Sequence, residues 1–120
     1  MGGICGFSGA LDKNTLDLMS SIMSYRGKES FSCVDGISGL SQRTPKFKNF
    51  KNAVETPSGD YFIIFDGDIF NKNDLLNLLK ENNYKLNEES EHEILIGLYL
   101  TFGNEFPKLI DGHFSICITD

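Results

Sequence analysis

The chain has 120 residues and a formal net charge of −6, the size of one domain around one hydrophobic core and the wrong sign for non-specific nucleic-acid binding, which depends on Lys and Arg meeting phosphates. Apolar residues make up 40% of it, an ordinary globular share, and no run approaches the roughly 20 apolar residues of a membrane span or forms a leader behind a charged start. The three cysteines, Cys5, Cys33 and Cys117, are an odd number without the close CxxC spacing of a zinc site, so they read as reduced thiols of a cytoplasmic protein.

Residues 1–8 form an apolar, strand-like stretch that ties down a terminus most domains leave loose. A tied start fits an N-terminal nucleophile, in which the side chain of the first mature residue attacks and its own α-amine takes the proton. Residue 2 would be that nucleophile, and it is Gly2. Asn14 is then expected to cap a helix over 15–24 with Leu16, Met19, Ile22 and Met23 on its buried side, ended by a positive-φ turn at Gly27. Two short strands, 30–34 and 37–40, joined at Asp35-Gly36, read as an antiparallel hairpin. Residues 41–52 read as a loop at the sheet edge, their basic stretch from Lys46 to Lys51 being solvated, and 56–60 as a turn.

Residues 61–65, Tyr-Phe-Ile-Ile-Phe, are apolar throughout, as a strand buried on both faces should be. A helix is expected from about Asn73 with Leu75, Leu76, Leu78 and Leu79 inside. Ser90-Glu91-His92-Glu93 has the capping-box form and starts a second helix running to 101 or 102, stopped by Gly103. Residues 113–119 alternate, with Phe114, Ile116 and Ile118 on the buried face and Cys117 on the other. That last strand reaches residue 119 of 120 without a closing turn, the pattern of part of something longer.

Isolated motifs exclude more than they assign. Asp66-Gly67-Asp68 opens like a calcium loop, but Phe70 stands where an oxygen ligand is required. Gly27-Lys28-Glu29-Ser30 resembles the end of a phosphate loop, but Glu29 separates Lys from Ser. His92 and His113 each have a structural account, at a helix start and a strand start, and no metal-ligand spacing is found.

Taken in order, several stretches resemble the N-terminal class II glutamine amidotransferase domain of asparagine synthetases. The opening through Phe7 resembles the family's MCGI(A/C)GF and Tyr25-Arg26-Gly27 its YRGPD. Residues 65–71 resemble its NGEIYN, Ser90 to Glu93 its SDTE, and residues 109–114 its L-x-G-M-F. The resemblance covers essentially the whole chain as a single domain, 1–120. It implies an α+β fold, the αββα sandwich of antiparallel sheets of N-terminal nucleophile hydrolases, which in the family continues for several strands beyond 113–119. The family reaction is hydrolysis of glutamine to glutamate and ammonia, with ammonia passed to a synthetase domain in asparagine biosynthesis. By position, the nucleophile falls on Gly2, the oxyanion hole on Asp66 and Gly67, the substrate α-carboxylate ligand on Arg43 and the α-amine ligand on Glu91. ATP and magnesium are implied only for a partner synthetase domain, and glutamine or glutamate is the implied ligand here.

The departures from the family pattern fall on the chemistry. Gly2 removes the nucleophile, and Cys5, a strand-interior position without a free amine, does not replace it. Asp66 stands where the family has an amide donor, and an ionised carboxylate only accepts hydrogen bonds. Glu91 is one methylene longer than the family residue, and 38–44 lacks the His and Leu of the family's HxRL. Three readings follow: a pseudoenzyme kept as a scaffold beside an ATP-using ligase domain, a glutaminase domain altered at residue 2, and an amino-acid sensor using Arg43 and Glu91. Changes spread over several positions are the pattern of drift and favour the first.

Overall fold

The computed structural model describes residues 2–9, 12–35, 38–45, 53–56, 59–87 and 89–119. It is an α+β arrangement of two three-stranded antiparallel sheets. The first is built from β1 (Gly3–Ser8), β2 (Glu29–Asp35) and β3 (Ser38–Thr44) in the order β1-β3-β2. The second is built from β4 (Ala53–Thr56), β5 (Gly59–Ile69) and β6 (Gly112–Thr119) in the order β4-β5-β6.

Helix α1 (Lys13–Ile22) lies on the first sheet, with the Leu16 side chain over Gly39. Its cap is Asp12 rather than Asn14: the Asp12 carboxylate accepts from the Thr15 amide at 2.9 Å, so the helix begins a residue before Asn14. Asp wins because its side chain reaches the amide three residues on, the usual N-cap geometry. A 3-10 turn, Ser24–Arg26, follows. Gly27 is not the expected positive-φ residue, since its φ of 174° is extended. Glycine is needed there because a Cβ would run into the Thr44 main chain.

The hairpin of β2 and β3 forms as expected, its turn at Gly36 and Ile37 lying outside the described residues. β3 continues through Thr44, so 41–44 is strand rather than loop; pairing with both neighbours overrides the polar composition. Residues 46–52 lie outside the described residues. Ala53–Thr56 pairs with the start of β5, so Thr56, Gly59 and Asp60, expected in a turn, are strand.

Helices α2 (Lys72–Glu81) and α3 (Glu91–Phe102) cover the second sheet. Here alternation and helical spacing meet: Tyr61, Ile63 and Phe65 on one face of β5 pack with Leu75 and Leu79 of α2 and with Ile94, Leu95, Ile96 and Leu98 of α3. Full burial of such side chains contributes about 1.5–3 kcal/mol each, which makes this the main core. Phe114, Ile116 and Ile118 of β6 pack against it but are only partly buried. Ser90 caps α3 by accepting from the Glu93 amide at 3.2 Å, and Gly103 with φ 66° ends it, as the sequence implies. The Glu93 carboxylate reaches the Asn87 amide at 2.7 Å. A 3-10 segment, Gly103–Leu109, leads to β6.

The two sheets meet where β1 and β3 approach β5. Among the described residues, β4 pairs with β5 as far as Phe62. Beyond it, the buried Phe65 amide is met from the other sheet by the Gln42 side-chain oxygen at 3.2 Å. A buried amide must find a partner, and Gln42 supplies one between layers.

Candidate functional site

Strand parity builds the site. Because Tyr61, Ile63 and Phe65 face the helices, Asp66, the next residue after Phe65, faces the first sheet. β1 arrives there with its leading residue: the Gly2 amide donates to Asp66 Oδ1 at 2.9 Å. Gly2 is buried. A Cβ on it would stand 2.5 Å from the Arg43 main-chain oxygen and 2.7 Å from Asp66 Oδ1, well inside ordinary contact. The surroundings are fitted to a residue without a side chain.

Arg26 closes the cluster. Its Nε donates to the Gly2 carbonyl, and its Nη2 lies 3.9 Å from Asp66 Oδ2. The side chains of Arg26 and Asp66 remain 33% and 26% exposed, so water screens that pair and it contributes little by itself. The shorter contact, a carboxylate accepting from a buried amide, is the stronger class of bond, about 1.5–3 kcal/mol. Gly67 follows directly, at φ 142°, where a Cβ would strike the His113 oxygen on β6. Only glycine tolerates both the angle and the approach.

Arg43 contributes backbone here, not charge. Its main-chain oxygen borders Gly2, while its Nε donates at 3.0 Å to both the carbonyl and the hydroxyl of Ser20. That places the guanidinium near the C-terminal end of α1, where a cation is favoured by the unpaired carbonyls. Glu91 begins α3, half-buried. Its neighbour His92 packs edge-on against Phe65 at 6.0 Å between ring centroids, so the helix starts beside the middle of β5. Among the described residues no hydrogen bond or ion pair joins Glu91 to Gly2, Asp66 or Arg43. The fold therefore brings together Gly2, Asp66, Gly67 and the Arg43 backbone, while Arg43 Nε bonds to Ser20.

Two participants had no role assigned from sequence, Arg26 and Asn71. Both lie inside stretches whose family resemblance was legible, which was the available signal. Asn71 donates to the Leu109 carbonyl and accepts from the Asp111 amide, each at 2.9 Å, while the Phe70 amide donates to the Asp111 carbonyl at 2.8 Å. These bonds latch the segment after β5 to the one before β6.

Chemically, the cluster holds no nucleophile. Cys5, three residues along β1, is no substitute: burial pushes its thiol above the ordinary range, outweighing the opposing pull of the Ser41 hydrogen bond and the Arg43 charge, so the reactive thiolate is disfavoured. Burial likewise raises the Cys117 thiol. Among the described residues there is no group of three or more His, Cys, Asp or Glu side chains placed to hold a metal ion, and no helix long and apolar enough to cross a membrane.

The leading strand of this α+β chain delivers its first residues to Asp66-Gly67 within β5, and comparison with known families identifies the type. The glutamine amidotransferase domain family model matches residues 1–120, and the chain belongs to that family. It is 26% identical over 129 aligned positions to asparagine synthetase [glutamine-hydrolyzing] 1 of Bacillus subtilis (strain 168), a match covering 96% of this chain. The chain spans only 20% of that relative's length.

Proposed function

We propose that this chain is a class II, N-terminal-nucleophile-type amidotransferase domain that no longer hydrolyses glutamine and serves as a scaffold for an asparagine-synthetase-type, ATP-using partner in the cytoplasm. ATP and magnesium belong to that partner. The observation that carries the reading is the wall around Gly2: the nucleophile is missing, the space its Cβ would occupy is taken by the Arg43 carbonyl, and the oxyanion position presents a carboxylate. Replacing one oxyanion donor costs about 10²–10³ in rate even when the nucleophile is intact. A carboxylate there also opposes the negative charge that develops on the attacked amide oxygen.

The relative's name supports the partner class, since it describes a glutamine-hydrolysing asparagine synthetase. The test is ammonia release from glutamine by the wild type, Gly2→Cys and Gly2→Cys/Asp66→Asn. The expected result is no release above background for the first two. A wild type or single variant that turns over glutamine would overturn the reading in favour of a glutaminase altered at one residue. The sensor reading draws no support from the hydrogen bonds of Arg43, whose Nε is engaged by Ser20 of α1.

A further inference from the structure

We propose that the outer face of α1 is where two copies of this chain pair, in a two-fold, antiparallel helix contact of the weak, concentration-dependent class. Helix α1 has apolar residues on two sides. Its inner side carries Leu16, buried together with Ser20. On the side turned away from the first sheet stand Leu18 and Ile22, four residues apart and so one above the other, 64% and 70% exposed. Tyr25, in the 3-10 turn that follows, is 81% exposed. Ile22, expected from spacing on the buried side, thus lies well round the helix from Leu16. A surface helix ordinarily keeps that outer side polar and charged.

Charge decides what covers the stripe. Asn14, Leu18, Ser21, Ile22 and Tyr25 follow the helical repeat, all exposed and none charged, although 23% of the chain is charged. Depletion of charge is the compositional mark of an interface centre. A basic partner would be drawn to the acidic remainder of a chain of net charge −6. A second copy carries the same sign, so an uncharged face is where it can approach without repulsion. In a two-fold contact residue i meets residue j and j meets i, and an antiparallel crossing centred between Leu18 and Ile22 sets Leu18 of each copy against Ile22 of the other. It also brings the start of each helix, with Asp12 and Asp17 against one Lys13, to the end at which the other copy carries Lys28, all four exposed. A parallel crossing would place like ends together. Three apolar side chains offer less than the about 800 Å² per partner of a standard interface, so the copies separate readily, with a dissociation constant between about 1 µM and 1 mM. The inference stands whether or not glutamine is hydrolysed.

Sedimentation equilibrium of the purified chain tests it. From roughly 10 µM to 1 mM the average mass is expected to climb from 13.4 kDa towards twice that value. Leu18→Lys and Ile22→Glu are each expected to remain monomeric over that range while melting like wild type, since both side chains are exposed. An equimolar mixture of the two variants is expected to pair about tenfold more tightly than either alone, because the introduced ammonium of one copy meets the introduced carboxylate of the other and the second Leu–Ile contact is kept. In ¹⁵N-labelled wild type, the amide shifts that move on dilution are expected within residues 14–25, a readout that needs no variant. A mass fixed at 13.4 kDa up to about 1 mM would leave the stripe to a different protein and overturn the proposal. Association unchanged by both variants, a mixture no tighter than its components, or dilution shifts confined to another face would each do the same.

Discussion

Gly2→Ala is the most direct probe of how tightly the leading strand is fitted. Alanine adds a single methyl, and that methyl would sit 2.5 Å from the Arg43 carbonyl oxygen, roughly 0.9 Å inside ordinary van der Waals contact. The Asp66 oxygen at 2.7 Å belongs to a flexible side chain and can swing away, breaking its bond to the residue 2 amide. The Arg43 oxygen cannot, because it is main chain in the central strand of its sheet. β1 must therefore shift relative to β3 at its first pair, Gly3 with Arg43. Overpacking of this kind costs about 1–3 kcal/mol. At roughly 4 °C per kcal/mol for a domain of this size, Gly2→Ala is expected to melt about 4–12 °C below wild type. Differential scanning calorimetry with matched urea titrations measures it. A midpoint equal to that of wild type would show that the strand end yields freely, and the steric argument against a side chain at residue 2 would fail with it.

Gln42→Met keeps shape but leaves the buried Phe65 amide without this acceptor; an unpaired buried donor costs about 1–3 kcal/mol, read by urea denaturation. Asn71→Ala removes two exposed bonds between the segments flanking β5 and β6, with an expected cost of about 1–2 kcal/mol and faster amide exchange at Asp111. His92 is buried and its pKa is lowered by burial from 6.5 to about 4. The unfolded chain therefore binds the proton first as pH falls, so His92's contribution is full above pH 6.5 and is lost between 6.5 and about 4. Up to about 3 kcal/mol is at stake, and His92→Phe is expected to flatten that part of the stability–pH curve; a variant curve parallel to wild type would refute the assignment.

Much of the fold was legible because local physics sets it. Ser90 and Gly103 bracket α3 by capping and a positive φ, and the leucines of α2 and the apolar run of β5 declare burial. Where the reading missed, a long-range partner decided. Polar residues 41–44 became strand because β1 and β2 lie on either side, β4 formed on β5, and Gly27 was needed for the Thr44 backbone rather than for a turn. At the site, the motifs placed Gly2 beside Asp66 and Gly67. They could not tell which side of β3 carries the Arg43 guanidinium, or that Arg26 closes the cluster.

The sequence by itself determined the family, most of the element types and the glycine at residue 2, since composition, spacing and residue identity are carried along the chain. Only the tertiary structure decided that the space a side chain on residue 2 would need is filled, that Asp66 faces the leading amide, and that Arg43 Nε is held by Ser20 of α1. Those are relations between residues 23 to 64 positions apart, and they exist only once the helix and the two sheets have packed.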